Sequence, residues 1–334
     1  MSVIDKSVLA TPGLRFRTVP PTSGMPLHSA IRSMLDAEAA GPSFEALHFS
    51  EFRALREAMM LRRPKRHEPV KSIEDLAVAG PAGEIPVRIY RPAEGTGPHP
   101  IVVYFHGGGW VLGTLDTHDD VCRTLVNRSG VLLVSVGYRR APEHQFPAPL
   151  DDCVTAVRWC ALRGAEIGGD AGRLAVAGDS AGGNLATAVA LRLRDEGGPR
   201  LAVQALIYPV TNFGFDTASY REYAEGFGLT RGLMRYFWKS YLPSPAEGGQ
   251  AYASPLNAAN LSGLPPALIL TAQYDVLRDE GEAYAARLAQ AGVPVCCTRY
   301  LDMNHGFIQL AALCDSALHG LEEVADALRT AFAR

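Results

Sequence analysis

Near-continuous apolar runs recur through most of the chain, separated by stretches in which apolar residues return every three or four positions. The runs fall at residues 101–106, 131–138, 174–178, 203–208, 267–272 and 293–301. Unbroken apolar character over four to eight residues fits strands covered on both faces, as in a parallel sheet. The intervening segments around 118–129, 149–164, 181–195, 279–292 and 313–333 carry helical periodicity, so the alternation reads as βαβ units with right-handed crossovers. Ahead of them, 76–80 and 84–90 alternate apolar and polar positions around the turn Gly80-Pro81-Ala82-Gly83, the pattern of a β-hairpin. Together these predict eight strands. Residues 1 to about 70 look helical instead, with Leu27, Ile31, Met34 and Leu35 at helical spacing and Phe52, Leu55 and Met59 repeating it. One long connection after Pro209 interrupts the alternation. It is rich in aromatic residues, including Tyr236, Phe237, Trp238 and Tyr241, and its length marks it as an insertion.

Composition narrows the class. The chain has 334 residues, 47% hydrophobic and 20% charged, with net charge −3, which argues against a nucleic-acid binder that works by counterion release. No window approaches the roughly 20 apolar residues of a membrane span, and the first residues lack a signal-peptide pattern, so a cytoplasmic location is expected. Six cysteines show no CxxC and no zinc spacing, so neither a metal nor a cofactor is expected. The basic run Arg62-Arg63-Pro64-Lys65-Arg66 reads as a solvated connection without function.

Chemistry concentrates at Val176-Ala177-Gly178-Asp179-Ser180-Ala181-Gly182-Gly183-Asn184. An apolar strand turns there directly into a helix, with a serine at the apex and glycines two positions to either side, which let the two elements approach without a Cβ collision. Ser180 is the expected nucleophile. A serine needs a base within hydrogen-bond reach, and that base needs a carboxylate to hold its tautomer. Asp275 and His305 each follow a late strand and meet the requirement in order; Asp279, Glu280 and Asp302 are weaker acids for the role, and His106, His118 and His144 all precede the serine. Donors for an oxyanion come from the N–H of Ala181 and from the glycine run His106-Gly107-Gly108-Gly109-Trp110. That run misses G-x-G-x-x-G, because Leu112 stands where the last glycine belongs, and this disfavours a dinucleotide site.

The segments His106-Gly-Gly-Gly-Trp, Tyr138-Arg-Arg-Ala-Pro-Glu-His, Gly178-Asp-Ser-Ala-Gly-Gly-Asn, Asp275-Val-Leu-Arg-Asp-Glu-Gly and His305-Gly-Phe resemble the hormone-sensitive-lipase family of bacterial esterases, in the branch whose elbow reads G-D-S-A-G. The resemblance implies an α/β-hydrolase fold, with a mostly parallel eight-stranded sheet flanked by helices and covered by a helical cap. It implies Ser180, Asp275 and His305 as the catalytic triad. It also implies an oxyanion hole over Gly107, Gly108, Gly109 and Ala181, with Gly107 shaping the turn. Val276 departs from the proline usual after the acid. The expected organisation is an N-terminal cap part at 1–50, catalytic parts at 51–210 and 246–334, and an inserted cap part at 211–245. The expected activity is hydrolysis of short- to medium-chain carboxylic esters. Amide or peptide hydrolysis by the same triad is the alternative, and a non-catalytic ligand receptor on the same fold is the reading from another class. The partner is a small ester rather than nucleic acid or a membrane, and the resemblance favours a homodimer through the edge of the last strand.

Overall fold

A computed structural model describes residues 11–22, 26–39 and 47–333. Residues 1–10, 23–25 and 40–46 of the expected N-terminal cap part lie outside the described residues. Nine strands form one sheet: β1 (Leu14–Val19), β2 (Ser72–Gly80), β3 (Gly83–Arg91), β4 (His99–Phe105), β5 (Leu132–Val136), β6 (Gly169–Asp179), β7 (Gln204–Ile207), β8 (Ala267–Tyr274) and β9 (Val295–Asn304). Their order is β1-β9-β8-β7-β6-β4-β5-β3-β2. Every pairing is parallel except those of β3 with β2 and with β5.

The described helices are α1 (Ser29–Ala39), α2 (Phe49–Leu61), α3 (Asp119–Ser129), α4 (Ala148–Arg163), α5 (Ala181–Asp195), α6 (Ala218–Glu222), α7 (Arg231–Tyr241), α8 (Arg278–Gln290) and α9 (Asp315–Phe332). Strand β4 shows how the sheet is covered. Its odd positions Ile101, Val103 and Phe105 share one apolar cluster with Cys153 and Val157 of α4 and with Leu185 and Val189 of α5. Its even positions Val102 and Tyr104 belong to a second cluster, with Val121 and Leu125 of α3 and Leu321 and Val324 of α9. Successive side chains of a strand point to opposite faces, so an unbroken apolar run is the sequence of a strand with helices on both sides.

The sheet has one strand more than expected. Strand β1 lies in the segment read as helical, where Leu14 and Phe16 are half-buried and Arg15 and Arg17 exposed. The two-residue alternation was present in the sequence, but it lasts only six residues before Pro20-Pro21, too short to stand out beside the helical spacing that follows. Strand β1 pairs along the whole of Val295–Tyr300 in β9. Among the described residues β9 therefore lies between β8 and β1, and the last strand is not at the edge of the sheet.

Candidate active site

All four segments with chemical promise leave the carboxyl ends of parallel strands, which places them along one edge of the sheet, where open α/β sheets bind ligands. Strand β4 delivers the glycine run, β6 delivers Ser180, β8 delivers Asp275, and β9 delivers His305.

The turn at Ser180 is tight. Its φ of 56° lies in the left-handed region, unusual for a residue with a side chain, and its N–H is held by Ile207 O at 2.8 Å. A Cβ on Gly182 would sit 1.9 Å from Phe105 O, so only glycine lets α5 start this close to β4. Ser180 Oγ lies 2.8 Å from His305 Nε2, and His305 Nδ1 lies 2.7 Å from Asp275 Oδ2. Asp275 is fully buried, and its Oδ1 accepts the N–H of Leu277 at 2.9 Å, so each oxygen has its own donor. The competing acids are engaged elsewhere. Asp302 accepts from Thr22 and Ser316, and Asp279 from the N–H of Ser219. Val276, in place of proline, is buried, and its carbonyl accepts the Ser219 hydroxyl at 2.7 Å.

The glycine loop is fixed from beneath. Asp179 Oδ1 accepts the Tyr104 hydroxyl at 2.7 Å and the Gly107 N–H at 2.9 Å, and lies 3.3 Å from His118 Nε2. The Gly107 N–H is thus committed to Asp179 and is not an oxyanion donor; its part is to tie the loop to the elbow. The N–H groups of Gly108 and Gly109 donate to no acceptor among the described residues, and that of Ala181 is a first-turn donor no helix can satisfy. Burial opposes ionisation of Asp179, but His118 and the Tyr104 hydroxyl outweigh it, and the carboxyl titrates below the ordinary range. Burial beside His118 pushes His106 down to about 3, so its ring is a neutral strut stacked on Tyr138 with centroids 4.3 Å apart. Asp179→Ala would strand these donors in the core, and urea unfolding at neutral pH should show a loss of about 3–5 kcal/mol.

The inserted segment closes on the same loop. A Cβ on Gly109 would come within 2.3 Å of the Phe237 ring, and Trp110 stacks on Tyr241 with centroids 4.1 Å apart. Gln145 Nε2 donates to the carbonyls of Ser240 and Leu242, which anchors the end of α7. Phe52 of α2 packs edge-on against Tyr236. Between these elements lies a cavity of 110 Å³, bounded by Ser180, His305, Gly108, Gly109, Leu229 and Phe237, among others. Arg56 and Arg63 also line it. Sequence reasoning missed both; Arg63 sits in the basic run judged functionless, and the only signal was its helical spacing from Phe52 and Arg56. A larger cavity of 1280 Å³ opens at the amino ends of β1, β8 and β9, away from the serine and histidine.

Glu280 is a buried acid outside the triad. Its Oε1 accepts the N–H of Thr211 at 2.7 Å and of Asn212 at 3.2 Å, and burial raises its carboxyl well above the usual range. A carboxyl raised on folding binds more protons folded than unfolded, so its stabilising effect is full below the ordinary glutamate range and fades as pH climbs. The melting temperature should fall as pH rises above the ordinary glutamate range, and Glu280→Gln should flatten that decline.

Sequence comparison matches residues 102–309 to the model of the α/β-hydrolase fold family. The chain belongs to that family. Its relatives include the carboxylic ester hydrolase LipN of Mycobacterium tuberculosis, 44% identical over 85% of this chain and 76% of that protein. An ethyl acetate hydrolase of Pseudomonas putida is 37% identical over 91% of this chain and 92% of its own length. Among solved structures, the hyperthermophilic esterase of Pyrobaculum calidifontis superposes with a TM-score of 0.86 at 41% identity, covering 92% of this chain and 99% of that one. The resemblance to hormone-sensitive-lipase-like esterases is therefore borne out within the family, and no described helix is long and apolar enough to cross a membrane.

Proposed function

We propose that the chain is a serine carboxylesterase. The observation that carries this reading is the unbroken chain of hydrogen bonds from Asp275 through His305 to Ser180 at the mouth of a cavity. Ser180 Oγ attacks the ester carbonyl while His305 Nε2 takes its proton, and the imidazolium that forms is held by the buried Asp275 carboxylate. The oxyanion is received by the N–H groups of Gly108, Gly109 and Ala181. His305 then protonates the leaving alkoxide, and water repeats the sequence on the acyl-enzyme. A cap over the site is formed by the described parts of 26–61 together with α6 and α7. The names of LipN and of the ethyl acetate hydrolase support an ester as substrate, while a bovine relative named arylacetamide deacetylase keeps amide hydrolysis as the second reading.

The cavity at Ser180, 110 Å³, is narrow beside the 1280 Å³ cavity at the far end of the sheet, so short to medium acyl groups fit best. Across p-nitrophenyl esters from acetate to palmitate, kcat/KM should peak at short chains and fall at least about tenfold by laurate. Absence of hydrolysis across the whole series would remove the esterase reading; equal rates to palmitate would remove the size limit.

A further inference from the structure

Residues 207–210, which leave the carboxyl end of β7, touch both partners of the proposed proton transfer. The two ends of this segment hold the backbone of Ser180: Ile207 O accepts the Ser180 N–H at 2.8 Å, and the Val210 N–H donates to Ser180 O at 3.2 Å. Between them the ring of Tyr208 lies against His305, with centroids 4.6 Å apart and planes inclined at 53°. The backbone that puts it there is strained. Tyr208 has a φ of 35°, in the left-handed region that bulky side chains avoid. Its surroundings leave it little choice: the Tyr208 N–H donates to Leu270 O at 2.6 Å, and Pro209 sits so close to α5 that a Cβ on Gly183 would meet it at 3.0 Å. The ring itself is buried and braced edge-on by Phe307, two residues beyond the histidine, with centroids 5.5 Å apart. Strain of this kind persists only where the structure around it over-determines the conformation, and it gathers at functional sites.

Both nitrogens of His305 are committed, Nε2 to Ser180 Oγ and Nδ1 to Asp275 Oδ2, so the Tyr208 hydroxyl has no nitrogen left to bond and the contact is ring to ring. In the esterase reading the imidazole is neutral at rest and cationic once it has taken the serine proton. An aromatic ring attracts a cation that lies within about 6 Å of its centroid, most strongly where water is excluded. The contact therefore strengthens as the transition state forms, which lowers the barrier without tightening substrate binding. We propose that Tyr208 is a positioning residue of this site, whose ring holds the His305 imidazole towards Ser180 and stabilises the imidazolium. This rests on the esterase reading above and adds to it a residue outside the triad and the oxyanion loop.

The ring electrons vary at almost constant shape when Tyr208 is replaced by phenylalanine and then by its 4-fluoro, 3,5-difluoro and 3,4,5-trifluoro analogues, with hydrolysis of p-nitrophenyl butyrate followed for each. Tyr208→Phe should keep kcat within about threefold of the wild type, since the ring and not the hydroxyl makes the contact. Along the fluorinated series kcat should fall stepwise, by about three- to tenfold in all, while KM and the melting temperature stay level. Acylation and deacylation both form the imidazolium, so the trend holds whichever step limits kcat. Tyr208→Leu, apolar but without a ring, should be at least as slow as the trifluoro member. A kcat that stays flat across the fluorinated series would reduce the ring to packing, and full activity in Tyr208→Leu would deny it any part; either result overturns the proposal and leaves the esterase intact. Failure of the wild-type protein to hydrolyse the ester would remove the esterase reading and the proposal with it.

Discussion

Ser180→Ala should retain the fold and lose about 10⁴- to 10⁶-fold in kcat on p-nitrophenyl butyrate, the loss seen when a nucleophile acting as part of a unit is removed. The reasons are local. Ser180 Oγ is the atom 2.8 Å from His305 Nε2, and its removal leaves the base with no hydroxyl to activate. The tight turn is kept by backbone contacts that alanine preserves: the N–H to Ile207 O, and the carbonyl accepting from Asn184 and Val210. Residual turnover should reflect only binding and the oxyanion donors. An unchanged melting temperature with near wild-type turnover would place the nucleophile elsewhere.

Asp275→Asn should cost about 10⁴-fold in kcat, with KM changed little. Asp275 offers two acceptors to two donors, Oδ2 to His305 Nδ1 and Oδ1 to Leu277 N–H. Asparagine has one oxygen and one amide nitrogen. If the oxygen keeps Leu277, the NH₂ group faces Nδ1 and pins the imidazole in the tautomer with its proton on Nε2, where it cannot accept the serine proton. If the oxygen faces His305, the Leu277 N–H at the start of α8 is buried without an acceptor. Either outcome removes the base or loosens its support. Activity should partly return at raised pH, where an alkaline solvent can take the serine proton; a loss under tenfold would mean that a different acid orients His305.

The proposed catalytic constellation was legible because each member follows a strand that the apolar runs already marked. The runs at 174–178, 267–272 and 293–301 predicted three carboxyl ends on one edge, and Ser180, Asp275 and His305 follow them within four residues. The cap side was less legible. Helix α2 shows a stripe in which Phe52 is buried while Leu55 is 40% exposed, so periodicity located the helix but not the face that packs. Strand β1 was missed because an edge strand is half-solvated and short, and its pattern competes with noise from flanking polar residues. The role of Gly107 was blurred because its partner, Asp179, is 72 residues away, a contact set by the parallel pairing of β4 with β6 rather than by local sequence. Arg63 was hidden for the opposite reason: a basic run looks solvated until a neighbouring helix turns one of its members inward.

The central claim is that Ser180 becomes covalently acylated. Incubation of the wild-type protein with a fluorophosphonate, followed by tryptic digestion and mass spectrometry, reads this directly, because only a hydroxyl activated by a base displaces the fluoride. One phosphonyl adduct is expected, on the peptide containing Ser180, appearing in step with loss of esterase activity and absent from Ser180→Ala and from heat-denatured protein. An adduct on another residue that tracks the loss of activity, or complete inactivation with Ser180 unmodified, would contradict the account.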